Sequence, residues 1–435
     1  MNRGKINIVT LGCSKNIVDS EKLLKQITAE GFHITHNPLD TSANTVIINT
    51  CGFINDAREE SVDTILRFVK AKEEGLIKNL YVMGCLSEIY MDDLKAEIPE
   101  VSRYFGVHDM QSILGELGIQ VRKDLFNDRI ITGPGHYAYL KVSEGCDRTC
   151  AFCSIPLIRG KCISRPLESL IEEAKILSGH GVKELILVAQ DLSYYGIDLY
   201  GTMMLPDLVT GLLKLNLFDW IRLHYLYPAS FPVRLLDIIK NNPVMCRYID
   251  IPVQHITDNM LSAMRRSHKR YETEHLLETI RIKIPEAAIR TTLIAGHPGE
   301  TEKDFRELKE FIRRFEFDRL GVFAYSHEWG TYSYKNYTDN IPQKVKESRV
   351  SELMDIQQSI SGARNRSMIN KSIKTLIDSR EGDFFTGRSE FDSPEVDQEI
   401  LVPSHYDLKP GSFYNIIISD SMEFDLFGHP AEEKK

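Results

Sequence analysis

The segment Glu144-Gly145-Cys146-Asp147-Arg148-Thr149-Cys150-Ala151-Phe152-Cys153 places three cysteines in a C-x3-C-x2-C array, directly after an apolar, strand-like run that starts at Tyr137. Three thiolates on one short loop suit three irons of a 4Fe-4S cube, because thiolate is the ligand such clusters take. The fourth iron stays open, and an open iron can chelate the amino and carboxylate groups of S-adenosylmethionine. One-electron cleavage of that cofactor would yield a 5′-deoxyadenosyl radical, with the protein supplying orientation and exclusion of water. The competing reading is a zinc site, which asks for a fourth Cys or His at matching spacing. His136 precedes a strand and does not match.

Working outward, apolar runs alternate with helical stretches. Strands are expected over 137–144, 184–189, 220–227, 248–252, 288–295 and 320–325, with helices after the first five. Six βα units in about 190 residues make an open, three-quarter version of the eight-unit TIM barrel. Ahead of it, one pattern occurs three times: an apolar run, a cysteine, then an amphipathic stretch. The runs end at Cys13, Cys51 and Cys85, and helices are expected over 20–30, 57–72 and 87–97. Such βα units imply a parallel sheet with its ligand edge at the strand C-termini, so the three cysteines should meet in space. After the barrel, 341–370 reads as a helical connector. Short alternating runs over 372–377, 399–402 and 413–418 then read as a small antiparallel β-barrel. The expected fold class is α/β, divided into an N-terminal parallel-sheet domain (1–125), a partial (β/α)6 barrel (132–340), the connector (341–370) and the small barrel (371–435).

The chain has 435 residues, 42% hydrophobic and 26% charged. That size suggests roughly three domains at about 150 residues each. No apolar run reaches the roughly 18 residues of a membrane span, and the N-terminus lacks the pattern of a signal peptide. The expected location is the cytoplasm, where thiols stay reduced, so the eight cysteines are expected as ligands, nucleophiles or core residues rather than disulfides. The formal charge is -9, and the stretch from Lys371 onward, with seven basic and fourteen acidic residues, carries -7 of it.

The longer run Gly145-Cys146-Asp147-Arg148-Thr149-Cys150-Ala151-Phe152-Cys153-Ser154-Ile155-Pro156-Leu157-Ile158-Arg159-Gly160 resembles the methylthiotransferase branch of the radical S-adenosylmethionine superfamily. In that family a domain with three dispersed cysteines precedes the barrel and a small β-barrel, the TRAM domain, follows it. The resemblance implies a second 4Fe-4S cluster on Cys13, Cys51 and Cys85, carried by Leu11-Gly12-Cys13-Ser14-Lys15-Asn16, Asn49-Thr50-Cys51-Gly52-Phe53 and Gly84-Cys85-Leu86. It implies the first cluster on Cys146, Cys150 and Cys153, with cofactor contacts at Phe152, Gln190, Asp191, Ile294 and Gly296 and no catalytic side chain beyond the clusters. Asp191 could equally cap a helix, and His297 stands where the family more usually has Phe. Gln254 and His255 end the fourth strand and should point toward the cavity mouth, although a lone His is more often structural. Cys162 and Cys246 match neither array and read as bystanders.

Three further stretches resemble the ribosomal-protein (aspartate) branch of the family: 250–255, 324–331 and 387–397. That branch implies transfer of a methylthio group to the β-carbon of an aspartate in protein twelve of the small ribosomal subunit. Two S-adenosylmethionine molecules are consumed, and electrons come from a donor such as flavodoxin or ferredoxin. An acidic C-terminal module suits a basic protein partner better than tRNA. The rivals are a tRNA adenosine methylthiotransferase and a non-catalytic, metal-bearing RNA-binding protein.

Overall fold

The computed structural model describes residues 4–52 and 54–431. Phe53 of the second cysteine motif lies outside them, as do the first three residues and the last four.

The N-terminal sheet is parallel and five-stranded, in the order β2-β1-β3-β4-β5. The expected strands are β1 (Lys5–Thr10), β3 (Thr45–Thr50) and β4 (Asn79–Gly84), flanked by the short β2 (His33–Thr35) and β5 (Arg103–Tyr104). Helices α1 (Ser14–Ala29), α2 (Asn55–Glu73) and α3 (Cys85–Glu97) follow β1, β3 and β4. Each cysteine therefore stands at or just past a strand end. Helix α1 begins at Ser14 rather than at residue 20, because its first turn carries Lys15 and Asn16, which are polar yet buried. Hydrophobic periodicity cannot register such a turn. Asn16 donates from Nδ2 to the carbonyls of Leu11 (2.9 Å) and Thr50 (3.0 Å), stitching the Cys13 turn to the strand that leads to Cys51.

The second unit has six parallel strands: β6 (Tyr137–Lys141), β9 (Glu184–Val188), β10 (Trp220–Leu223), β11 (Tyr248–Asp250), β12 (Ala288–Ala295) and β13 (Arg319–Ala324). The expected strand over 137–144 is divided. Its last residues form β7 (Ser143–Glu144), which pairs antiparallel with β8 (Ile163–Ser164) and brackets the cysteine loop. Outward-facing Leu140, Leu185, Leu187 and Leu293 pack with Leu212, Leu236, Leu277 and Leu308 of the surrounding helices, all nearly inaccessible. Burying each such side chain stabilises by about 1.5–3 kcal/mol. The other face of every strand looks into the lumen.

A closed five-stranded barrel ends the chain, in the order β14 (Ser372–Glu381), β15 (Phe384–Arg388), β16 (Glu399–Pro403), β18 (Asp425–Pro430), β17 (Phe413–Ser421). Four pairings are antiparallel and β16 with β18 is parallel, so the barrel is not purely antiparallel. The connector helix Gln343–Arg366 packs on the barrel through Leu353, and Gln357 donates to the carbonyl of Phe317 at 2.9 Å.

Both outer units reach into the lumen. From below, Leu376 and Phe413 cover Trp220, Tyr248 and Ala288 at the starts of β10, β11 and β12. The segment after β15 then enters: Arg222 donates to the carbonyl of Glu390 (2.9 Å), Tyr248 to Asp397 (2.7 Å), and Ser393 Oγ pairs with His224 Nε2 (2.9 Å). From the other domain, Ile17 and Val18 of α1 pack on Tyr137, Tyr139, Ile186 and Val188. The acidity of the C-terminal module is thus partly spent inside the molecule. Asp378 binds His136, Glu390 binds Arg247, Asp392 binds Arg319 and Asp397 binds Arg290. Its net charge is therefore a poor guide to what its surface faces. Among the described residues, no helix is long and apolar enough to cross a membrane.

Candidate functional site

Cys13, Cys51 and Cys85 lie at the C-terminal edge of the N-terminal sheet, and Arg159 links Cys85 to Glu144, two residues before Cys146 on the barrel. In the N-terminal sheet, Gly12 lies against Cys51: a Cβ on Gly12 would sit 2.6 Å from Cys51 Cβ and 2.8 Å from its Sγ, and the backbone there has φ 87°. Only glycine serves at such a place. The Cys13, Cys51 and Cys85 thiols are near enough to influence one another's ionisation. Burial pushes Cys85 up to about 12, opposed by the Arg159 guanidinium. On the barrel, burial likewise pushes Cys146 up to about 12 and Cys153 higher still. Thiols this reluctant to ionise need a cationic centre to become thiolates. Among the described residues no group of three or more Cys, His, Asp or Glu is gathered closely enough to hold a metal ion as it stands; the all-cysteine character of the two sets is nonetheless that of iron–sulfur ligation, which uses thiolates.

Around the barrel triad, buried polar atoms lack hydrogen-bond partners: Arg148 Nη2, Ser154 Oγ, Gln190 Oε1, Asp191 Oδ1, Gln254 Oε1 and Arg266 Nε. Orphaned buried polar atoms are rare in folded proteins. This group of them suits a polar cofactor at the barrel mouth. Arg148 and Arg266 both lie 4.1 Å from the Tyr227 ring, one on Asp191 (2.8 Å) and the other on Cys150 Sγ (3.4 Å). Neither arginine was singled out from sequence. Arg148 sits inside the quoted array and could have been, whereas Arg266 lies in a loop that matches no motif.

The expected contacts divide. Asp191 precedes a short 3-10 turn but makes no side-chain cap there; it binds Arg148, and burial raises its carboxyl against that guanidinium. Gln190 donates to Glu144 Oε1 at 3.1 Å. Ile294 alternates with the fully buried Leu293 and Ala295, so it looks into the lumen beside Phe323. Phe152 is half-buried within the cysteine loop. Gly296 is explained differently from the expectation: a Cβ there would meet Lys346 Cγ at 2.4 Å, so the glycine makes room for the connector helix. Gln254 takes the left-handed conformation at φ 70°, but His255 does not point to the mouth. It is inaccessible and its Nδ1 accepts from the backbone of Ile256 (2.9 Å) and Thr257 (3.2 Å). His297 is also buried, pairing with Ser333 Oγ at 2.9 Å. Cys162 and Cys246 are both buried, the latter beside Trp220 and Tyr248.

The same turn that holds Gly296 contains a titratable group. Glu300 accepts from Gly296 N (2.7 Å) and Arg349 Nη1 (2.9 Å), yet burial lifts its carboxyl to about 7. A carboxyl raised on folding contributes stability that is fully present below the unfolded value, about 4.5, and is lost as pH rises through 7. The apparent melting midpoint should therefore fall between pH 5 and 8, and Glu300→Gln should flatten that slope. Identical slopes in both proteins would contradict the assignment.

Arg159 joins the two domains. It is 3% exposed, and its Nη1 donates to Asp19 of α1 (3.0 Å) and to Glu144 beside the cysteine loop (2.8 Å). Its Nη2 donates to Asn16 Oδ1 (2.5 Å) and to Cys85 Sγ (3.7 Å). Lys141 bridges the same Asp19 and Glu144. Burial opposes ionisation of Glu144, but Lys141 and Arg159 hold it well below the usual carboxylate range. A second tie, Arg58 to Glu328, lies on the same interface.

Comparison with known proteins matches three regions. Residues 5–106 match the Uncharacterized protein family UPF0004, 140–312 the Radical SAM superfamily and 369–430 the TRAM domain. A protein of Phocaeicola vulgatus named ribosomal protein uS12 methylthiotransferase RimO is 49% identical over 428 residues, covering 98% of this chain and 99% of that protein. Proteins of the same name from Porphyromonas gingivalis and Flavobacterium psychrophilum are each 50% identical over 98% and 99% of this chain. Among solved structures, the radical S-adenosylmethionine methyltransferase TsrM from Kitasatospora setae aligns with TM-score 0.55 and 13% identity, over 73% of this chain and 72% of that one. The cobalamin-dependent S-adenosylmethionine radical enzyme OxsB aligns with TM-score 0.52 and 12% identity, over 82% and 56%. These two likenesses concern the fold.

Proposed function

Because this chain belongs to the RimO family of ribosomal protein uS12 methylthiotransferases, and so is a radical S-adenosylmethionine enzyme using iron–sulfur clusters, we propose that its two cysteine triads divide the reaction between them. Cys146, Cys150 and Cys153 hold the cluster at which S-adenosylmethionine binds; Cys13, Cys51 and Cys85 hold the one that presents sulfur. When bound, these groups supply the one-electron chemistry needed to break an inert C–H bond on the β-carbon of an aspartate of uS12. The chain's own residues do the rest. Arg148, stacked on Tyr227 and fixed by Asp191, and Arg266 offer unpaired N–H groups to the cofactor's anionic end. Ile17 and Val18 pack against Tyr139 and Val188 and exclude water from that part of the domain interface.

The observation that carries this division is Arg159, which touches Cys85 while bonded to Glu144, two residues before Cys146. A flavodoxin or ferredoxin is the proposed electron source, the cytoplasm the proposed location, and tRNA is not a substrate in this reading. Anaerobic incubation with uS12 or with tRNA, followed by mass spectrometry, tests it. The expected result is a gain of one methylthio group on the aspartate of uS12; a gain on tRNA alone would refute the proposal.

A further inference from the structure

Lys15 stands two residues past Cys13 in the first turn of α1 and is 8% exposed. Its Nζ lies 3.5 Å from the centre of the Tyr225 ring, across the domain interface. Among the described residues, no carboxylate or other hydrogen-bond acceptor accompanies that contact. A cation over an aromatic face gains about 0.5–2 kcal/mol, whereas desolvating a charge costs several kcal/mol. Among the described residues, no side chain supplies a counter-charge at this position.

The surroundings do not supply it. Asp250 is committed to Arg290 (3.3 Å) and to the backbone N–H of Tyr225 (2.9 Å), and Glu184 to Arg222 (2.7 Å) and Arg388 (2.8 Å). His224, close enough to feel the charges of Arg222, Arg290 and Lys15, is kept neutral by burial. Tyr225 itself is held at φ 61° just past the end of β10. Left-handed backbone at a non-glycine residue costs of order 1–3 kcal/mol and persists where surrounding structure imposes it, commonly at a ligand site. The ammonium and the strained tyrosine thus form one built feature at the domain interface, two residues past Cys13.

We propose that Lys15 is the carboxylate-binding group of this chamber and receives the side-chain carboxylate of the target aspartate. This rests on the uS12 reading above. The carboxylate is bonded directly to the carbon that reacts, so anchoring it fixes which C–H bond is presented and to which side. Lys15 belongs to the same turn as Cys13, so the anchored carbon lies toward the sulfur-bearing triad. The carboxylate of S-adenosylmethionine has the same chemistry, and the test separates the two sources.

Lys15→Met keeps the length and apolar stem; Lys15→Arg keeps the charge. Both are assayed anaerobically as holoenzymes against uS12 and against uS12 with the target aspartate changed to asparagine. Iron content and cofactor cleavage without substrate report the fold, and uS12 binding without S-adenosylmethionine gives a readout independent of turnover. Lys15→Met should keep its iron, bind uS12 more weakly and lose roughly 10- to 100-fold in kcat/KM, the scale of one charged hydrogen bond. Lys15→Arg should recover part of the loss. The preference for aspartate over asparagine should disappear in Lys15→Met, since the two changes remove the same interaction. An undiminished preference overturns the proposal. So does weaker S-adenosylmethionine binding with unchanged uS12 binding, which assigns Lys15 to the cofactor, or loss of the N-terminal cluster in both variants. A wild-type enzyme inactive on uS12 overturns the functional reading itself and shows in the first control.

Discussion

Cys150→Ser should abolish 5′-deoxyadenosine formation and remove about half of the roughly eight irons that two cubes contain, whereas Cys85→Ser should lose the same iron and go on cleaving S-adenosylmethionine. Methylthiolation should stop in both. The asymmetry follows from placement: Cys150 lies beside Arg266 and the orphaned polar groups of the barrel mouth, while Cys85 opens α3 in the N-terminal domain. Iron analysis and chromatography of the cleavage product read the two outcomes. Cofactor cleavage surviving in Cys150→Ser, or lost in Cys85→Ser with its barrel cluster intact, would reverse the division of roles.

Arg159→Met should uncouple the two halves. Removing one member of a buried ion-pair set leaves Asp19 and Glu144 beside each other with Lys141 as their shared cation, a loss of about 3–5 kcal/mol if the site were wholly dry. Asp19 and Glu144 retain 18% and 20% of their side-chain exposure, so a value below that range is expected. The functional effect should be larger, because a misplacement of about 1 Å between reacting groups can cost 100-fold. Cofactor cleavage should continue while methylthio product falls, and hydrogen exchange should rise in the first turns of α1. Arg159→Lys, which keeps a charge for the carboxylates but cannot also span to Asn16 and Cys85, should be intermediate. Unchanged coupling in Arg159→Met would leave Arg159 a structural tether only.

The strand-end cysteines were legible because apolar runs of five or six residues ending in Cys recur at β1, β3 and β4, and a parallel sheet has one ligand edge. The short β2 and β5, of three and two residues, carry too few apolar positions to register. In the C-terminal barrel, β15 contains Gly387 and β18 contains Gly428 and Pro430, residues that read as turns. Gly428 is required there, since a Cβ would meet Ile417 O at 2.6 Å. Lys15 and Arg159 sat within family-matching motifs but carried no assignable role, because their partners, Tyr225 and Asp19, are more than a hundred residues away. Charge separated that far in sequence looks like ordinary surface. The same holds for the acidic tail: a count cannot tell a carboxylate that faces a partner from one, like Asp397, that faces Arg290.

The segment that rises from the last domain into the barrel has a consequence for how the molecule is made. Arg222 waits 168 residues along the chain for the carbonyl of Glu390, Tyr248 waits 149 for Asp397, and Tyr137 waits 258 for Glu395. During synthesis the six strands emerge long before the piece that fills their floor, and contacts so distant in sequence form late. Until that segment has emerged, the barrel is a half-finished vessel with Arg222 lining an open base. This chain therefore completes its own reaction chamber only once the segment after β15 has emerged, on the same machine whose protein it modifies.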